Sequence, residues 1–421
     1  MGALPAIRYN HLMNYVHKDT CRICKGRDLT RILSLGNHPP VDNFTDVEHL
    51  KNEKRYPLNV YFCGTCNLVQ LLDVVSEEEL FHGEYAYFSS ASKPLVEHFR
   101  SYADDLAREQ LKDDDLVVDI GSNDGILLQH LAHRYRVLGI EPSANVAEAA
   151  RKKGVETLDG FFTVDMAKKM VEKYGKAKVV AANNVFAHID DLDEIVQGVK
   201  ELLSEDGVFV SESHYLLDLI ERREFDTVYH EHLCYYSVKP LQHLFKRFGM
   251  EVFDVGRVDV HGGSIRVYVR LASGKPLKNS VRVLCALEEK AGLYTLERFS
   301  GFQKDVEVIR DKLVSLIRGF RKEGKIVTAY GAPAKGNTLL NFCGFTPDDL
   351  KYVTDTTPHK IGLLTPGSHI PVVSPDILKS ETPDYILLLA WNYRNFILEK
   401  EKELRSRGAK FIIPIPEVEI V

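Results

Sequence analysis

Residues 226–237 read Asp-Thr-Val-Tyr-His-Glu-His-Leu-Cys-Tyr-Tyr-Ser. Tyr229, His230, Glu231 and His232 put a phenol, two imidazoles and a carboxylate into four consecutive positions. Such groups move protons near neutral pH, and a loop that carries them without using them is costly. The stretch is not a zinc-protease motif. His-Glu-x-x-His starting at His230 needs histidine at position 234, where Cys234 stands. The stretch also precedes a helix: Ser237 is a good N-cap, Leu241, Leu244, Phe245 and Phe248 form a stripe, and Gly249 ends it. The chemistry therefore sits on a loop.

Two further constellations bear on ligands. Cys21-Arg-Ile-Cys24 and Cys63-Gly-Thr-Cys66 can each present two thiolates to one tetrahedral ion, with Gly64 easing the second turn. Four sulfurs and no open position describe a structural Zn²⁺ site. The 38 residues between the pairs are expected to carry structure of their own. The other constellation is Leu116-Val-Val-Asp-Ile-Gly-Ser-Asn-Asp-Gly125. An apolar β-branched run enters a polar turn bracketed by Gly121 and Gly125. Ile126, Leu127, Leu128 and Leu131 then predict a helix. A second strand, Val137-Leu-Gly-Ile, ends in Glu141-Pro142, where a carboxylate can accept hydrogen bonds from ribose hydroxyls.

The glycines are spaced G-x-x-x-G, unlike the dinucleotide fingerprint. Asp119 and Asp124 suit a cationic or zwitterionic ligand better than a pyrophosphate. The turn, with Ser122 and Asn123 between its glycines, resembles the S-adenosylmethionine (SAM) site of doubly wound methyltransferases, whose acidic turn faces the methionine end. The alternative is a plain βαβ unit.

The remaining elements must position these groups. Pro94 opens an amphipathic helix carrying Leu95, Phe99, Tyr102 and Leu106. Val179–Asn184 reads as a fourth strand, so Asn183, Asn184 and His188 fall at its carboxyl end, where ligands of open α/β sheets sit. Asp159-Gly-Phe-Phe is a candidate adenine-side loop. Gly207–Ser211 is a fifth strand, and 252–258 with 264–271 is an antiparallel pair joined through His261-Gly262-Gly263. Residues 275–320 read as helical linkers. Lys325–Tyr330 is a strand ending in Gly331-Ala-Pro-Ala-Lys335-Gly-Asn337, a second glycine turn, whose lysine suits a pyrophosphate. Strands near Tyr352–Asp355 and Asp384–Trp391 complete a further α/β unit.

Composition bounds the function. The 421 residues suit two to four domains, and a net charge of −6 makes no electrostatic case for nucleic acid. No apolar run is long enough to span a membrane, and the first ten residues lack a signal-peptide pattern. Seven cysteines, four of them in matched pairs, fit metal in a reducing cytoplasm better than disulfides. The chain is expected to be cytoplasmic and monomeric.

Taken in order, the double C-x-x-C, the D-I-G-S-N-D-G turn, N-N-V-x-A-H, Y-H-E-H-L-x-Y-Y-S and A-Y-G-A-P-A-K-G-N resemble the zinc-binding, SAM-dependent C-3'-methyltransferases of 4-keto-6-deoxysugar nucleotides. The resemblance covers nearly the whole chain after residue 20. It implies an α/β protein with a zinc-binding module (15–75), a central SAM-methyltransferase Rossmann-like domain (76–272) and a C-terminal Rossmann-like nucleotide-sugar-binding domain (273–421). It implies a dTDP- or GDP-linked 4-keto-6-deoxysugar as substrate. His232 would be the base and Glu231 its orienting partner, with Tyr229, His188 and Tyr87 completing the catalytic set. Asp119, Gly121, Ser122, Asn123, Asp124, Gly125, Glu141, Pro142 and Asn183 would hold SAM. Asn184, Tyr85, Lys335 and Asn337 would meet the substrate, and Cys21, Cys24, Cys63 and Cys66 the zinc. An O- or N-methyltransferase acting on a small metabolite is the alternative.

Overall fold

The computed structural model describes residues 14–80 and 88–421. Tyr85 and Tyr87 lie outside the described residues.

The Leu116–Ile120 strand is buried at every position, and its side chains alternate between two cores. Leu116, Val118 and Ile120 join one apolar cluster, and Val117 joins another under the Lys93–Glu109 helix. A strand covered on both faces belongs to the middle of a parallel sheet. It is the fifth of seven strands, ordered in space as Met250–Val258, Ser264–Leu271, Leu203–His214, Ala177–Asn183, Leu116–Ile120, Arg136–Glu141 and Thr157–Asp159. All pairs are parallel except those of Ser264–Leu271, which runs antiparallel to both neighbours. The chain order reverses beside Leu116–Ile120, so a crevice opens at the carboxyl ends of that strand and Ala177–Asn183.

Around the cysteines, the loop expected to be structured forms the antiparallel strands Leu29–His38 and Tyr56–Cys63, followed by Val69–Leu71. The fourth strand of this sheet is Cys234–Tyr235, from the end of the Tyr229–His232 loop. The C-terminal sheet runs Val372–Val373, Val353–Thr354, Val327–Tyr330, Tyr385–Leu388, Lys410–Ile413 and Glu419–Ile420, parallel except at its last pair. Helices Asn279–Lys290 and Leu296–Lys322 lead into it, and Phe299 packs on Phe62 of the zinc sheet at 5.1 Å between ring centres. One apolar cluster runs through these three sheets, and a fourth sheet, two-stranded, pairs Tyr15–His17 with Asp73–Val75.

Two expectations are corrected. The helix after Gly125 is only turns and a 3₁₀ segment, Leu128–His130. Ile126, Leu127, Leu128 and Leu131 are all buried, and the amides of His130 and Leu131 bond three residues back. Apolar spacing reports which positions are covered, and it does not distinguish a continued α-helix from one tight turn. Ser237 sits at the N-cap of Val238–Lys246 but makes no capping bond; the buried Glu288 takes the Val238 amide at 3.0 Å instead.

Candidate active site

Four histidines converge at the carboxyl edge of the seven-stranded sheet, each from a different element. His188 ends the Phe186–His188 turn after Ala177–Asn183, and His214 ends the strand Leu203–His214. His261 stands on the turn between Met250–Val258 and Ser264–Leu271. His232 comes from the loop that runs into the zinc sheet. Its ring centre lies 4.9 Å from those of His188 and His214 and 3.9 Å from that of Tyr229, and His214 lies 6.0 Å from His261.

His232 is 4 % exposed. Its Nδ1 lies 2.8 Å from the Thr227 carbonyl oxygen. A carbonyl only accepts, so Nδ1 carries the hydrogen and Nε2 keeps the lone pair. Burial, then the neighbouring His188 and His214, holds this imidazole well below its ordinary range. Burial likewise takes His188 and His261 down to about 4. At neutral pH the cluster is therefore uncharged, and His232 presents an acceptor. His230 turns the other way, its Nε2 3.3 Å from the Pro57 carbonyl and its ring edge-on to Tyr56 in the zinc module.

The expected Glu231–His232 pair is not formed. Thr227 orients His232, while burial, then the charge of Asp42, pushes the Glu231 carboxyl up to about 8, partly offset by Lys360. Adjacent loop residues project to different sides, so sequence adjacency cannot show a pairing.

The glycine turn lies at the crevice. Gly121 has φ +66°, and a Cβ there would stand 2.4 Å from Val185 Cγ2. Glu141 accepts the amides of Asn123 at 3.0 Å and Ser143 at 2.9 Å, which fixes its carboxylate at the strand end beside Pro142. Burial, then the nearby Glu141, raises the Asp119 carboxyl well above its usual range. Lys153 donates to Asp124 Oδ2 at 2.7 Å, while Asp124 Oδ1 is buried without a hydrogen-bond partner among the described residues. Asn123 Oδ1 accepts the Ser89 amide at 2.8 Å. Asp119 Oδ1, Ser122 Oγ, Asn184 Oδ1 and both polar atoms of the Asn183 amide are buried without hydrogen-bond partners among the described residues. Such a concentration of unmet polar atoms is what a polar ligand resolves. In the adenine-side loop Phe161 is open, at 61 % exposure, whereas Phe162 packs into the core.

The C-terminal residues lie on a helix that touches the zinc module. Asn337 is fully buried, and its Nδ2 donates to the Val41 carbonyl at 2.6 Å, joining the C-terminal helix Ala334–Cys343 to the zinc module. The Asn337 Oδ1 is buried without a hydrogen-bond partner among the described residues. Lys335 lies in the first turn of that helix, just after the glycine turn. Its Nζ is buried 4.6 Å from the centre of the Trp391 ring, and its charge depresses His214 and His261. Sequence reading missed His214 and His261 as site residues. A histidine at the carboxyl end of strand five was the available signal for His214; His261 becomes a neighbour only through the antiparallel pairing of Ser264 with His214.

Three family models match the chain: a zinc binding domain (residues 21–81), a methyltransferase domain (96–255) and a C-methyltransferase C-terminal domain (259–416). The chain is 38% identical over 407 residues to the C-methyltransferase NovU of Streptomyces niveus, covering 96% of this chain and 97% of that protein. The chain belongs to the C-methyltransferase family. The enzyme is a SAM-dependent methyltransferase. Among solved structures it is similar to magnesium protoporphyrin IX methyltransferase of Synechocystis PCC 6803 with bound SAH (16% identity, 42% of this chain, 83% of that chain, TM-score 0.33). It is also similar to the CcbJ methyltransferase of Streptomyces caelestis (16%, 42% and 90%, TM-score 0.33).

The enzyme's cysteines fit zinc. The Sγ atoms of Cys21, Cys24, Cys63 and Cys66 lie within 4.8 Å of one another, with Cys21–Cys66 and Cys24–Cys63 each at 3.5 Å. A tetrahedral ion about 2.3 Å from each sulfur sets sulfur–sulfur distances near ~3.8 Å. All four positions are protein ligands, so the ion's role is structural. Among the described residues no helix is long and apolar enough to cross a membrane.

Proposed function

We propose that the enzyme methylates C3 of a dTDP- or GDP-linked 4-keto-6-deoxysugar through an enolate that His232 generates. The observation that carries this reading is the Thr227–His232 hydrogen bond, which leaves a neutral imidazole with Nε2 as acceptor inside a histidine cluster. Forming a carbon–carbon bond requires a nucleophilic carbon. A sugar C–H becomes acidic enough only beside a carbonyl, which is why a keto-sugar is the substrate class.

His232 Nε2 takes the C3 proton. The C–H electron pair becomes the C3–C4 double bond, and the carbonyl pair moves to O4. His188, neutral and with an N–H to donate, or Tyr229 hydrogen-bonds that oxygen as its charge grows. Bound SAM supplies an electrophilic methyl group on its sulfonium. Asp119, Gly121, Ser122, Asn123, Gly125, Glu141, Pro142 and Asn183 hold the cofactor in the crevice, and Asn184 lies on the sugar side. The nucleotide belongs with the C-terminal sheet.

The test is proton exchange without methyl transfer. The enzyme is incubated in D₂O with S-adenosylhomocysteine (SAH) and dTDP- or GDP-4-keto-6-deoxysugars, and C3 and C5 are followed by NMR. Enzyme-dependent deuterium at C3 with one nucleotide is expected. If neither exchange nor methyl transfer occurs with any sugar, the keto-sugar reading is wrong and an O- or N-methyl acceptor takes its place.

A further inference from the structure

The C-terminal sheet has its own topological switch, between Val327–Tyr330 and Tyr385–Leu388. Lys335 and Trp391 follow the carboxyl ends of these two strands and meet each other at 4.6 Å. The helix bearing Lys335 is fixed from two directions. One turn along the same face, buried Thr338 donates to the carbonyl of Val228, the residue before Tyr229, at 3.1 Å. Asn337 donates to Val41. These two bonds seat the start of the helix against the proton-transfer loop.

Lys335 Nζ is buried and has no hydrogen-bond acceptor among the described residues. A buried ammonium without one is expensive, so the site favours an anionic oxygen. Two carboxylates face the same space. Trp391 Nε1 donates to Asp226 Oδ2 at 2.6 Å, leaving Oδ1 unpartnered, and the Oε1 of buried Glu224 is unpartnered as well. Gly262, with φ +101°, lets Glu224 lie close: a Cβ there would stand 2.3 Å from its Oε2. Burial raises both acids, Glu224 to about 8 and Asp226 to about 6, so at neutral pH Asp226 is the main countercharge to Lys335, and the several charges of a diphosphate would outweigh this one lysine. One oxygen that gains charge only during reaction is accommodated far more easily, since Lys335 is balanced at rest and its field acts in a water-poor pocket.

We propose that Lys335 is a further catalytic residue, supplied by the C-terminal sheet, whose ammonium meets the carbonyl oxygen of the substrate and stabilises it as negative charge develops there. The proposal rests on the keto-sugar reading above and deepens it. It makes the C-terminal domain part of the reaction centre as well as a holder of nucleotide.

The test compares wild type, K335M, K335Q and K335R in the same D₂O exchange with SAH, using dTDP-4-keto-6-deoxyglucose and GDP-4-keto-6-deoxymannose. Calorimetric SAH binding, which depends on the distant glycine turn, reports folding. K335M and K335Q should lose about 10²–10³-fold in exchange rate at saturating sugar nucleotide. K335R, which keeps the charge, should retain more, and binding of free dTDP or GDP should not change. Saturated exchange within about threefold of wild type in a SAH-binding K335M or K335Q variant overturns the proposal. So does a loss confined to KM and to free-nucleotide affinity, which returns Lys335 to the diphosphate. If wild type exchanges and methylates neither sugar, the keto-sugar reading itself fails and takes this proposal with it. Normal wild-type exchange with an unaffected K335Q removes the lysine alone.

Discussion

Two features suit His232 to the proposed role of base. The Thr227 carbonyl chooses the tautomer, and the surrounding protein removes the water that would favour the imidazolium. His232→Asn keeps a side-chain donor for Thr227 and loses the proton acceptor. Turnover should fall at least about a hundredfold, measured as initial rate of methyl transfer at saturating SAM. Full activity in this variant removes His232 from the base role. The same burial fixes the sign of the pH dependence. The folded-state affinity of His232 for a proton is lowered, so its base form persists below the ordinary imidazole value of about 6.5. The acid limb of kcat/KM that belongs to His232 should therefore lie below that value. A base protonating at or above it would not be this buried residue. By residue type alone His230 and His232 are equivalent, and only the family resemblance set His232 apart; in the fold they point in opposite directions, toward Pro57 and toward the cluster.

Among the elements, the strand–turn at Leu116–Gly125 is the most legible in sequence, because a β-branched run into two glycines has few other solutions. Gly121 is required twice over, by its φ of +66° and by Val185. Gly121→Ala costs about 1–2 kcal/mol in backbone strain and adds a clash that shifts the turn or the Val185 segment. SAH affinity by calorimetry should fall at least about tenfold. Unchanged affinity would mean that this turn does not hold the cofactor. The segment after Gly125 was less legible. The expected helix is a single tight turn, since all of its apolar residues are covered without the backbone continuing. Ser237 shows the same limit: its type and place announce a cap, yet the bond is made by Glu288, far along the chain.

For the whole molecule, the zinc module is a support of the active site. Its sheet is completed by Cys234–Tyr235, two residues after His232, and Asn337 ties the C-terminal helix to Val41. Zinc loss should therefore spread. Cys63→Ser removes one of four thiolates, and the variant should lose zinc, solubility and methyl transfer together, measured by metal content, thermal melting and turnover. A metal-free variant with unchanged melting would overturn the structural role of the ion.

Residue order alone settles the pieces whose signals are local. The cysteine pairs, the glycine turns, the strand periods and the proton-moving loop are each set by residue type at short spacing, and together they carried the family resemblance. Partners are settled by the folded chain. His214, His261 and Lys335 join His232 only because a sheet reverses, a hairpin pairs in one register and a distant helix docks on the loop. One polar atom each of Asp124 and Asn337, both promising by type, is taken up by Lys153 and Val41. A side chain's direction is fixed by which surface its backbone packs against, and that surface is built from residues tens to hundreds of positions away.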